Sequence, residues 1–333
     1  MNGFVKCAGA LVALELCSAC TGSSAIAPST VAPDVRYIGR TLAVNGRPVT
    51  AAEVRTLPRF ATIAPDASTK AKHFEYIFND YGTYASIFDY PTSVKEIGSI
   101  RGDGGQGCTN VLYGYGKKSF WDVAGDTDIV EYDVLKKPIK TLSVSVGMPS
   151  SCAMDSSGDL AVGILSGAGG GDIVVFKNAS GSGTVFKSPL AREYFDGYDE
   201  NGNLFFDGFT VDSQFQLDEL PQGSTKVQKI ITSNHVEFPG SVQWDGTYLA
   251  VTDQIANAIY RYTVSGTKAT LEDTVSLSTS SDCAQTWIVK GLIYCADAGN
   301  DDGEVFKYPA GGSAIAVFTG NFDVPLGTVA VRR

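Results

Sequence analysis

One anchor position returns about every 44 residues along this chain, and that period constrains the fold more than any other feature. An aromatic or apolar residue closes a β-like run at Tyr90, Tyr132, Phe176, Leu217, Tyr262 and Tyr308, with gaps of 42, 44, 41, 45 and 46. A second series keeps step at the end of the preceding run: Asp80, Asp122, Gly163, Asp207, Asp253 and Asp297. Two markers sharing one period indicate a repeat architecture, and a period of this size suits a four-stranded propeller blade.

Each repeat unit has the same grammar. An apolar run such as PSSCAMD or FPGSVQWD leads to a turn at Ser157-Gly158, Asn201-Gly202, Asp245-Gly246 or Lys290-Gly291. A β-rich run ending in the Asp series follows, then a polar loop, the anchor strand and an outer strand. The repeat region starts in mid-unit with HFEYIFND and ends on a lone first strand, VPLGTVAVRR. The two fragments complement each other. The expectation is an all-β fold, a six-bladed β-propeller of four-stranded antiparallel blades over 73–333, with 324–331 completing the blade begun at His73. Joining the chain ends in one sheet removes two exposed edges.

Ahead of the repeats, residues 1–19 read as an export signal, with Lys6 followed by the short apolar run CAGALVAL. The run is too short to span a bilayer as a helix. With Ser18-Ala19 before Cys20, it resembles the signal of bacterial lipoproteins, which implies lipidation of Cys20. Residues 20–72 are rich in Ser, Thr, Ala and Pro and read as a tether, with a hairpin around Asn45-Gly46. Four further cysteines remain, Cys108, Cys152, Cys283 and Cys295, and in an oxidising compartment they allow three pairings. Cys108 and Cys152 occupy equivalent places in adjacent repeats, which suits a bridge between blades. Cys283 and Cys295 lie in one hairpin, where a tight turn would set Cys295 opposite Thr286, so a bridge there requires a bulge or a longer turn.

The copies DENGNLFFDGF (199–209), DGTYLAVTDQIANAIYRYT (245–263) and GLIYCADAGNDDGEVFKYPAGG (291–312) resemble NHL-type and gluconolactonase-like six-bladed propellers. The resemblance covers about three-quarters of the chain and is specific for architecture rather than activity. It implies that an enzyme of this kind would hold a metal with carboxylates and amides at the channel. No such set can be matched here residue by residue. The chain has 2 histidines, His73 and His235, too few for a zinc lyase that needs several.

A formal charge of −10 argues against a nucleic-acid partner, and against a membrane contact other than through the lipidated N-terminus. The face holding the Asp series also gathers the channel-mouth candidates Glu193, His235, Glu237, Asp282 and Asp323. Asp at a strand end ordinarily caps the following turn. The acidic stretch Asp297, Asp301, Asp302 and Glu304 offers oxygen donors suited to Ca²⁺. No nucleophile elbow, phosphate loop or dinucleotide fingerprint is present. The expected function is therefore non-catalytic: a binding or scaffold module, exported to the periplasm or cell surface, for a protein or glycan. The alternative is a metal-dependent hydrolase or lyase acting on a small molecule in the channel.

Overall fold

The computed structural model describes residues 72–79, 84–101, 105–123, 127–134, 137–289 and 291–333, together with three short strands ahead of them. The signal 1–19, Cys20, Asp80 and most of the 20–72 segment lie outside the described residues. Of that segment, β1 (Leu42–Val44) pairs antiparallel with β2 (Arg47–Val49), Val44 facing Arg47. The third strand, β3 (Ala61–Ile63), joins the edge of a larger sheet described below.

The rest is antiparallel sheet laid down in chain order. First come β4 (His73–Asn79), β5 (Tyr84–Phe88) and β6 (Gly98–Arg101), with β6 pairing β3. Next are β7 (Gln106–Thr109), the two-residue β8 (Gly116–Lys117), β9 (Ser119–Val123), β10 (Asp128–Asp133) and β11 (Pro138–Ser143), paired in the order β7-β9-β10-β11. Then β12 (Met148–Met154), β13 (Leu160–Ser166), β14 (Ile173–Phe176) and β15 (Thr184–Phe186) form a meander. So do β16 (Arg192–Tyr198), β17 (Leu204–Phe209), β18 (Phe215–Leu220) and β19 (Gln228–Thr232). The pattern repeats in β20 (Pro239–Trp244), β21 (Leu249–Asp253), β22 (Ala258–Ser265) and β23 (Lys268–Ser276). A last meander holds β24 (Cys283–Val289), β25 (Leu292–Asp297), β26 (Asp302–Lys307) and β27 (Ala316–Phe318).

The final strand, β28 (Pro325–Arg332), pairs antiparallel with β4, Val329 facing Tyr76. The ends of the repeat region thus share one sheet, as the fragment arithmetic required. The first strands β7, β12, β16, β20, β24 and β28 neighbour one another in that order, and β28 returns to β7. Two parallel pairings join sheets sideways: Ile231 of β19 with Lys268 of β23, and Val331 of β28 with Gly116 of β8. Among the described residues no helix is long and apolar enough to cross a membrane.

Four of the six anchors are buried because their sheets are covered on both faces by neighbours, while Tyr90 and Tyr308 are half-buried. Tyr132, Phe176, Leu217 and Tyr262 are all within 1% of complete burial. Every residue of β5, β21 and β24 is buried, hence the near-continuous apolar runs in the sequence. Phe120 lies 4.2 Å from Tyr76 and 5.5 Å from Tyr132, ring centre to ring centre, so aromatics stitch one sheet to the next. Each such ring stabilises the fold by about 2–3 kcal/mol through area alone. The turns also repeat their chemistry. Asp155, Asp199 and Asp245 each accept two backbone N–H bonds from the turn that follows. Gly158, Gly202 and Gly246 take the positive φ that those turns demand.

Candidate functional site

The first strands face one another around the axis without a shared backbone ladder, so their edge groups need other partners. Three glutamines supply them. Gln285 of β24 exchanges two bonds with Gly107 of β7 and also accepts from the Thr328 N–H of β28. Gln243 of β20 accepts from the Ile288 N–H and donates to Leu112 O. Gln106 of β7 reaches Tyr194 O on β16. The segment between β7 and β9 then crosses the axis: Gly114 N–H donates to Ile288 O, and Trp287 Nε1 donates to Gly114 O. The free space left in the channel is about 30 Å³, enough for roughly one or two waters.

Beside this constriction stands a group of buried acids. Glu193, fully buried, accepts hydrogen bonds from the Ser150 and Ser151 hydroxyls at 2.5 and 2.7 Å. Its carboxylate occupies the space that a Cβ on Gly163 would enter, 1.6 Å from Oε2. The repeat lacks its Asp at Gly163 because a glutamate from the following sheet fills that place. Asp196 lines the channel, and Asp207 Oδ2 accepts from the Gly240 N–H. Among the described residues no Lys, Arg or His lines the cavity. Burial raises Glu193 to about 8, and burial together with the Glu193 charge holds Asp196 and Asp207 well above the usual carboxylate range.

The acidic stretch after β25 divides by role. Asp297 accepts the backbone N–H groups of Ser281, Asp282, Gly299 and Asn300, plus Asn300 Nδ2. Five donors use up the four lone-pair sites of a carboxylate, so Asp297 is a cap for two loops. Asp253 does the same with Glu237, Phe238, Ile255 and Ala256. Asp301 is exposed and its Oδ1 accepts from the Val324 N–H. Asp302 and Glu304 sit on β26. Burial and the neighbouring Asp297 raise Asp282 and Asp302 to about 6; burial, then Asp297 and Asp302, raise Glu304 to about 7 against a Thr279 hydrogen bond.

The channel-mouth candidates do not converge on one point. Glu193 is sealed between sheets, Asp282 is buried at the start of β24, and Asp323 is half-buried before β28. His235 and Glu237 are exposed in the loop before β20. Close to that loop lies a feature the sequence reading passed over. Tyr194, Phe209 and Phe238 meet edge to face at 5.6, 5.8 and 5.1 Å, all half-buried. Loop residues Val211 (81% exposed) and Ile255 (52%) follow Phe209 and Asp253 in the chain, and Asp253 accepts from the N–H groups of both Phe238 and Ile255.

No family model and no curated protein matches the chain. Solved structures do. A chain in the nidogen/laminin complex is similar over 78% of this chain and 98% of its own, with 12% identity and a TM-score of 0.56. A protein of unknown function from Bacteroides caccae matches over 79% and 100%, with 11% identity and a TM-score of 0.59. A functionally unknown protein from Desulfotomaculum acetoxidans matches over 82% and 88%, with 12% identity and a TM-score of 0.51. The fold is that of a β-propeller. At such identities the likeness extends to the fold alone, and propellers host many activities.

Both cysteine pairs are bonded. Cys108–Cys152 joins β7 to β12, and Cys283–Cys295 closes the β24–β25 hairpin. Thr286 does face Cys295, and a bulge between Cys283 and Thr286 brings Cys283 within reach. Two disulfides point to an oxidising, exported setting.

Proposed function

We propose that the chain is a six-bladed, NHL-like propeller working as a non-catalytic binding or scaffold module at the bacterial cell envelope. The exported, lipid-anchored placement rests on the signal-like N-terminus with Cys20 and accords with the two disulfides. Its partner is a protein, received on the surface around Tyr194, Phe209, Phe238, Val211 and Ile255. The observation that carries this reading is the aromatic trio together with strongly exposed aliphatic side chains on the loops that follow Phe209 and Asp253, the composition of an interface core. A glycan would stack on aromatic faces but would gain little from Val211 and Ile255. The metal-dependent hydrolase reading has less support, because glutamines and a crossing loop leave about 30 Å³ in the channel, too little for a small-molecule substrate.

A photocrosslinking residue placed at Val211 in the producing cell tests the assignment. Discrete adducts are expected, and they should vanish in an I255D/F238A background whose melting is unchanged. Adducts that persist in the double variant would remove this surface from consideration. Binding to a glycan panel that F238A abolishes would replace the protein partner with a sugar.

A further inference from the structure

First strands end and second strands begin at one face of the ring, and the Asp series closes the second strands at the other. At the former face the closure seam gathers basic residues. Arg332 of β28 faces His73 of β4 on one side and Lys117 of β8 on the other, so the three form one row across three strands. Backbone bonds bring in their neighbours: Lys118 N–H donates to Arg332 O, and Arg333 N–H to Lys72 O. All five Lys and Arg side chains are exposed. Among the described residues no acid pairs with Lys72, Lys117, Lys118 or Arg332. Asp133 precedes Val134, whose N–H donates to Lys118 O, and it accepts from the N–H of the exposed Lys137. Like charges on facing positions destabilise a sheet, and an outside anion would relieve the Lys117–Arg332 pair. The seam is firmly built. Asn110 holds both backbone groups of Lys117, at 2.8 and 2.9 Å, and His73 packs on Tyr115 with ring centres 4.6 Å apart. Tyr113, on the same crossing segment, is 44% exposed.

We propose that this face rests on an anionic phospholipid surface, with Lys72, Lys117, Lys118, Arg332 and Arg333 against the headgroups and Tyr113 at their level. Given the anchored placement proposed above, on which this rests, the patch supplies a second signal. A single acyl chain alone binds a membrane only marginally, and a basic patch makes the contact stable. About 40 residues separate Cys20 from β3, a span of at most about 140 Å, so the anchor keeps the ring near the bilayer and charge selects the face. The opposite face carries the exposed Asp212, Glu237 and Asp301 and would be repelled. It also carries Tyr194, Phe209 and Phe238, which then point away from the membrane toward the proposed protein partner. The formal charge of −10, which spoke against a membrane contact, averages over two unlike faces.

The full chain carrying C20S, which cannot be acylated there, is sedimented with vesicles of equal parts phosphatidylglycerol and phosphatidylcholine. Binding is expected at low salt, with loss in about 0.5 M NaCl and none to pure phosphatidylcholine. Each lysine at such a surface raises affinity roughly fivefold, so K117Q/K118Q should bind about 30-fold more weakly. K226Q/K229Q, at exposed lysines beside and on β19, should change binding by less than about twofold. Should K117Q/K118Q misfold, R332Q must weaken binding roughly fivefold. Equal binding to both vesicles, binding unmoved by K117Q/K118Q, or capture of soluble heparin in place of vesicles would overturn the assignment. Acylation of Cys20 is read separately, from the mass of the wild-type chain taken from the producing cell, so a failed anchor and a failed patch give different results.

Discussion

Glu193 shows how one residue can explain an irregularity in a repeat. Its carboxyl lies where the Gly163 side chain would be and ties Ser150 and Ser151 of the preceding sheet to its own. Burial raises it to about 8, so the folded state favours the neutral form. A group raised in the folded state contributes stability that is complete below the ordinary carboxylate range and is lost as the pH rises through about 8. Melting temperature should therefore fall between the ordinary carboxylate value of 4.5 and about pH 8, and fall less steeply in E193Q. Equal slopes for the two proteins would show that Glu193 is not the titrating group. Asp196 and Asp207 shift in the same direction, so E193Q should flatten the profile rather than abolish it.

Between elements, the joint at Arg261 is the counterpart with the opposite sign. Asp245, after β20, accepts from Arg261 Nε at 2.8 Å and from the Tyr308 hydroxyl at 2.5 Å. Arg261 lies 4.5 Å above the Tyr248 ring and 5.3 Å from that of Tyr308, which sits just past β26, so the cluster clamps two sheets. Burial pushes Asp245 up, but hydrogen bonds from Tyr308, Arg261 and the turn N–H groups prevail and hold it below the usual range. D245N should cost about 2 kcal/mol in urea unfolding, the scale of a charged hydrogen bond lost at a buried site. A loss within experimental error would reduce the clamp to a surface ion pair. Much at this scale was legible in advance. The anchors, the Asp-capped turns, the closing strand and the Cys283–Cys295 bulge all follow from period and spacing, which are local properties of the chain. The Gln106, Gln243 and Gln285 crossings were not legible, because each joins strands that lie far apart in sequence and leaves no periodic trace. Nor was the Tyr194–Phe209–Phe238 surface, because Tyr194 and Phe209 occupy strand positions that elsewhere pack between sheets and Phe238 sits just before β20.

For the whole molecule, closure is the property on which the rest depends. β28 covers β4 on one side and meets β8 on the other, while Gln285 ties it to β24 and β7. Removing 325–332 exposes the edge of β4 and opens the ring, so the entire protein should lose its cooperative melting transition. Loss confined to the β4–β6 sheet, seen as hydrogen exchange limited to 73–101, would mean that the other sheets stand without closure.

That closure also has a consequence in time. The strand that completes the β4 sheet is made about 250 residues after β4 itself. At about 5–20 residues per second of synthesis, the edge of β4 waits roughly 12–50 s for its partner. Through that interval His73–Asn79 is an uncovered strand rich in aromatics, a template for pairing with another chain. The nascent protein is then most exposed to aggregation just before β28 emerges, and a holding chaperone would matter most in that interval.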